Sequence, residues 1–151
     1  MPRPRKLRHV DRPPLLTGFK PLGIRSSELQ PIDLSLDEYE AIRLADHLGL
    51  DQSEAADQMD ISRSTFSRLI EQARGKVARF LVEGAHLRIG GGDVHFVGNR
   101  LQCLTCGNMF NTDFDRAVDA CPSCGSTKLV DLAGGFGHGR CCRRHRRRQG
   151  R

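Results

Sequence analysis

Four of the six cysteines are spaced for chemistry. Cys103-Leu-Thr-Cys106-Gly and Cys121-Pro-Ser-Cys124-Gly are two Cys-x2-Cys pairs with fourteen residues between them. Each pair presents two sulfurs from one tight turn, and the glycine that follows lets backbone amides turn toward them. Two such turns supply the four thiolates of a tetrahedral site, which suits Zn2+. Iron takes the same ligand set, and nothing in the sequence excludes it. Four protein thiolates leave zinc no open position, so the site reads as structural rather than catalytic. Leu101, Phe110, Leu129 and Leu132 are the few apolar residues available to cover it. A core this small folds with its metal or hardly at all.

A second set of residues has the chemistry of polyanion contact. The run Gln52–Ile70 reads as a short helix, a tight turn and a second helix. On the second helix Phe66, Leu69, Ile70, Ala73, Val77, Phe80 and Leu81 share one face at about 100° per residue and are expected in the core. Arg63, Ser64, Ser67 and Arg68 share the polar face near its N-terminus, the end that enters a major groove, and are expected at base edges. Thr65, Arg74 and Lys76, with Arg3, Arg5 and Lys6 of the N-terminal segment, are expected at phosphates. The plain alternative is a helical hairpin whose polar face meets only water.

The elements that position these residues carry their own signals. Asp51 and Glu54 form a capping box, as do Ser35 and Glu38. Ile61 plugs the turn, Ser62 caps the second helix, and Asp60 tolerates the left-handed backbone that the turn needs. Helices are therefore expected over about 36–48, 52–59 and 63–83, with Gly49 and Gly84 as stops. His86–Ile89 and Val94–Val97 read as strands of a hairpin around Gly90-Gly-Gly-Asp93. The Pro- and Gly-broken stretch 13–31 reads as irregular.

The resulting division is a basic arm over 1–12, a mainly α helix-turn-helix domain over 13–98, a small β unit over 99–132 and a Gly/Arg-rich tail over 133–151 that is expected to be disordered. The net charge of +6 is unevenly distributed. Residues 33–60 hold nine acids against Arg43 alone, whereas residues 61–80 hold five cations against Glu71 alone. Residues 139–151 add seven arginines and no acid. A module acidic on its supporting helices and basic on its second helix is oriented for a polyanion. His138, Cys141, Cys142 and His145 in the tail read as incidental, because adjacent cysteines do not easily share one tetrahedral ion and the arginines oppose a cation.

No apolar run approaches the eighteen or so residues of a membrane span, and the basic, Pro-rich N-terminus has no apolar signal core. The expected compartment is the cytoplasm, where thiols serve metals rather than disulfides. No Ser-His-Asp order, phosphate-binding glycine loop or metalloprotease motif is visible, so no enzymatic activity is expected.

Leu36–Glu83 resembles region four of bacterial sigma factors, and residues 101–132 resemble a zinc ribbon. Rubredoxin-like iron sites use the same cysteine knuckles. Met1-Pro-Arg-Pro-Arg-Lys, Arg43-Leu-Ala-Asp, Ser62-Arg-Ser-Thr-Phe, Ala73-Arg-Gly-Lys-Val-Ala78 and Leu87-Arg-Ile-Gly-Gly are similar to a family of small prokaryotic proteins that carries an expectation of DNA binding but no established target. The leading expectation is a sequence-specific binder of double-stranded DNA, a transcriptional regulator with a structural zinc ribbon, with a homodimer as one open arrangement. The alternatives are an RNA polymerase-associated protein that docks through the ribbon, or an iron-binding redox protein.

Overall fold

A computed structural model describes residues 6–137. Arg3, Arg5, His138, Cys141, Cys142 and His145 lie outside the described residues. The chain divides into two units: Leu16–Val94 with the residues before Val10, and Val10–Leu15 with the residues from His95 onward. Residues 10–15 and 95–98, which the sequence reading places in the arm and the helical domain, thus belong to the cysteine-bearing unit.

The first unit is built on three helices. Ser35 caps α1 (Leu36–Ile42), and its partner Glu38 completes the box. The helix continues as a π turn over Arg43–His47, closed by the Leu48 N–H to the Arg43 carbonyl at 2.9 Å. The expected single helix over 36–48 is therefore α only in its first part. Asp51 caps α2 (Gln52–Gln58) in the same reciprocal way with Glu54. Asp60 then takes φ 55°, in the left-handed region that Asp tolerates. Ile61 donates to the Ala56 carbonyl at 3.1 Å and Asp60 to that of Asp57 at 3.2 Å, a Schellman closure of the helix. Ser62 caps α3 (Arg63–Glu83), which ends at Gly84 with φ 63°. Ala41, Leu44, Ala55, Ala56, Met59, Phe66, Leu69 and Ile70 form the core, with Ile61 packed against it.

The core face of α3 is shorter than its helical period suggests. Phe66, Leu69, Ile70 and Ala73 are buried, but Val77 and Phe80 are only half-buried and Leu81 is 71% exposed. The helix outruns the elements packed against it, so the apolar spacing continues where burial does not.

The segment before α1 is not irregular throughout. It holds β2 (Gly18–Phe19) and β3 (Pro31–Leu34), which flank β4 (His86–Ile89) in a three-stranded sheet. β3 runs parallel to β4, with Ile32 opposite Leu87 and Leu34 opposite Ile89; all four are buried. Asp33 and Arg88, on the opposite face, pair at 2.7 and 3.0 Å. The expected hairpin is thereby corrected. β4 pairs with β2 and β3, whereas β5 (Val94–Phe96) pairs with β1 (Arg8–Val10). Strand propensity was visible locally, but the partners lie far away in sequence.

In the second unit, β6 (Asn99–Cys103) is central, flanked antiparallel by β7 (Met109–Thr112) and β8 (Leu129–Asp131). A short α4 (Leu132–Gly135) follows, capped by Asp131. Buried Asn99 ties these parts together: its amide donates to Asp131 at 2.7 Å, and its oxygen accepts from the N–H groups of Arg100 and Ala133. The Phe96 and Phe136 rings meet at 5.9 Å.

Candidate metal centre and polar helix face

The two cysteine turns are conformational duplicates. Gly107 and Gly125 sit at φ 74° and 75°. Their N–H groups donate to the carbonyls of Cys103 and Cys121, both at 2.9 Å. The cysteines' own N–H groups donate to the carbonyls of Asn108 and Ser126 at 2.9 and 2.8 Å. A side chain at either position would be strained in this left-handed backbone, which explains the residue type. β6 and β7 carry the first turn, and the second precedes β8.

The turns bring four sulfurs together. Cys103 and Cys124 approach to 3.6 Å and Cys106 and Cys121 to 3.7 Å, with all four sulfurs within 4.8 Å of one another. With metal–sulfur bonds of about 2.3 Å, a regular tetrahedron has edges of about 3.8 Å. The residues present therefore fit a four-thiolate metal site. Cys103 and Cys121 are buried, Cys106 and Cys124 exposed.

The electrostatics favour metal as well. The N–H of Cys106, with that of Thr105, lowers the Cys103 pKa to about 6. Burial opposes ionisation of Cys121, but the N–H groups of Cys124 and Ser123 outweigh it and its pKa falls. The Ser126 N–H favours the Cys124 thiolate, yet burial and the three neighbouring sulfurs together push it up to about 12. Four clustered thiols do not all ionise unaided, and a divalent cation removes that conflict. Asn108, whose amide lies 3.9 Å from the Cys121 sulfur, was missed in the sequence. So was the Thr105–Ser126 hydroxyl contact at 2.8 Å that links the two turns. Polar residues beside a Cys-x2-Cys-Gly turn were the available signal.

On α3, Arg63, Ser64 and Arg68 are exposed and Thr65 and Ser67 half-buried. Ser64 and Thr65 contact the Ser62 hydroxyl at 3.2 and 2.8 Å. Arg63 and Arg68 form no ion pair among the described residues. The expected phosphate contacts differ. Arg74 grips Asp46 through two bonds of 3.1 and 2.7 Å, Lys76 meets Glu38 at 2.8 and 2.9 Å, and Lys6 meets Asp60 at 2.9 Å. The sequence reading did not find these acids, because spacing along one helix does not reveal partners on another element. Arg8, from the arm, pairs with buried Asp37, which also accepts from Ser35.

The chain thus combines a three-helix unit having an exposed basic N-terminal helix face with a four-cysteine cluster whose geometry fits a metal. The family model described as "Protein of unknown function DUF134" matches residues 1–97, and the chain belongs to that family. It is 45% identical to a UPF0251 protein of Chloroherpeton thalassium, over 100% of this chain and 99% of that protein. It is 43% identical to one of Moorella thermoacetica (97% and 96%) and 42% identical to one of Caldicellulosiruptor bescii (97% and 99%). No solved structure matches. No helix among the described residues is long and apolar enough to cross a membrane.

Proposed function

We propose that this protein is a sequence-specific binder of double-stranded DNA, acting as a transcriptional regulator, in which α2, the turn and α3 form a helix-turn-helix and the second unit is a zinc ribbon. One observation carries the reading. The first two turns of α3 expose Arg63, Ser64 and Arg68 while Phe66, Leu69 and Ile70 anchor the opposite side in the core. A helix end held by the core, with short hydroxyls and with guanidinium groups that have no ion pair among the described residues, can approach base edges closely, and Arg pairs bidentately with guanine O6 and N7. Zinc is the proposed occupant of the thiolate site, holding its unit folded and taking no part in a reaction. A reducing cytoplasm is the matching compartment, since thiols there remain available to metal.

The test is selection of duplexes from a random pool, followed by base-by-base affinity profiles of wild type, Arg63→Ala and Arg68→Ala. The expected result is an enriched motif, with each variant losing about 1–3 kcal/mol of discrimination at one or two positions. No enriched motif, or three profiles of the same shape, overturns the reading. Metal content of the purified protein decides zinc against iron, an iron–thiolate site being coloured.

A further inference from the structure

Resting on the reading of α3 as the DNA-facing helix, we propose that Asp46 and Glu38 are specificity-determining residues that withhold Arg74 and Lys76 from DNA phosphates.

The five cations of α3 fall into two groups. Arg63 and Arg68, in the first two turns, have no acid partner among the described residues. Each cation further along faces a carboxylate: Arg74 faces Asp46, Lys76 faces Glu38, and Arg79 faces Glu83 at 3.7 Å. The Asp46–Arg74 contact is a planar fork in which Nε and Nη2 each meet a separate oxygen. Lys76 is saturated as well. Its ammonium carries three donors, and these meet both Glu38 oxygens and the Asp33 carbonyl at 2.8 Å. Removing Lys76 to a phosphate would strand a buried carboxylate, so this cation is locked.

The Arg74 lock is different, because both partners are about half-exposed. Asp46 stands in the π turn after α1. Lysine and arginine contacts to phosphates supply affinity that is blind to sequence, so cations held by internal acids add little to it. Discrimination then depends on Arg63 and Arg68 at the helix start, and the ratio of specific to non-specific binding rises.

The experiment measures binding to a duplex of scrambled sequence and to the selected site over a range of salt concentrations. It compares wild type, Asp46→Asn, Asp57→Asn and the double variant Asp46→Asn/Arg74→Ala. Asp57 is an exposed acid of α2 that pairs with no cation among the described residues, so its loss changes charge without freeing a cation. Asp46→Asn should bind the scrambled duplex several-fold more tightly, with a log–log salt slope steeper by about 0.9, and its preference for the selected site should fall by a similar factor. Asp57→Asn should keep the wild-type slope, and Arg74→Ala should cancel the gain. An unchanged slope in Asp46→Asn overturns the proposal. So does a gain that survives Arg74→Ala, or one that Asp57→Asn reproduces. Wild type that binds neither duplex defeats the DNA reading itself, and this inference with it.

Discussion

The helical unit and the cysteine unit hold themselves together by different means. In the first, Leu44, Met59, Phe66 and Ile70 from all three helical segments are buried in one cluster. In the second, Leu101, Phe110, Leu129 and Leu132 are each only half-buried, while Cys103 and Cys121 are among its best-buried side chains. Burial of apolar surface at roughly 25 cal/mol per Å² can organise the first unit. On the proposed reading, the second draws on metal binding around the knuckles, which is folding free energy when no site exists in the unfolded chain. On that reading the same chain carries one unit whose stability depends on packing and one whose stability depends on ligation.

The sharpest way to break that contrast is to remove the metal. Chelation, or Cys106→Ser, should abolish dispersed amide signals over 99–131 while signals of α1, α2 and α3 persist. Collapse of the helical signals as well would show that the first unit does not stand on its own core. The converse change is Phe66→Ala, which empties a fully buried aromatic site. It should cost the helical unit about 3–5 kcal/mol in urea unfolding, with one equivalent of metal still bound. Metal loss in this variant would contradict the division.

The smallest expected effect concerns surface charge in the helical unit. Hydrogen bonding to Arg74 holds the Asp46 pKa below its ordinary value of 3.8. A depressed carboxylate contributes stability that is complete above the unfolded value and is lost as pH falls through the folded one. The pair should therefore matter at neutral pH and vanish only in strong acid. Because both partners are half-exposed, its contribution is at most about 1 kcal/mol. Arg74→Ala should return the Asp46 titration, followed by NMR, toward 3.8. An Asp46 titration that does not move would mean the fork does not persist in solution.

Much of the helical unit was legible because its signals are local. Both capping boxes, the Ser62 cap and the left-handed Asp60 each depend on residues within a few positions. The cysteine cluster was legible for a related reason: each Cys-x2-Cys-Gly turn is complete within five residues, and only the meeting of the two is long-range. What stayed hidden was set across the chain. β3 is a four-residue strand opened by a proline, and its partner β4 starts beyond three helices. The acids that hold Arg74 and Lys76 stand 28 and 38 residues away. The exposed end of α3 shows the opposite failure, since the apolar period there outlasts the neighbours that would give it meaning.

The parallel pairing of β3 with β4 has a consequence for how the helices are carried. The chain leaves β3 at Leu34 and re-enters the sheet at His86, the partner of Pro31. The helical segment therefore starts and ends at opposite ends of the ladder, about 10 Å apart along the strands. It is the crossover connection that a parallel pair requires. A link such as the one before α2 can lengthen without shifting the sheet, whereas a turn added to α3 would displace the return to His86 by about 5.4 Å.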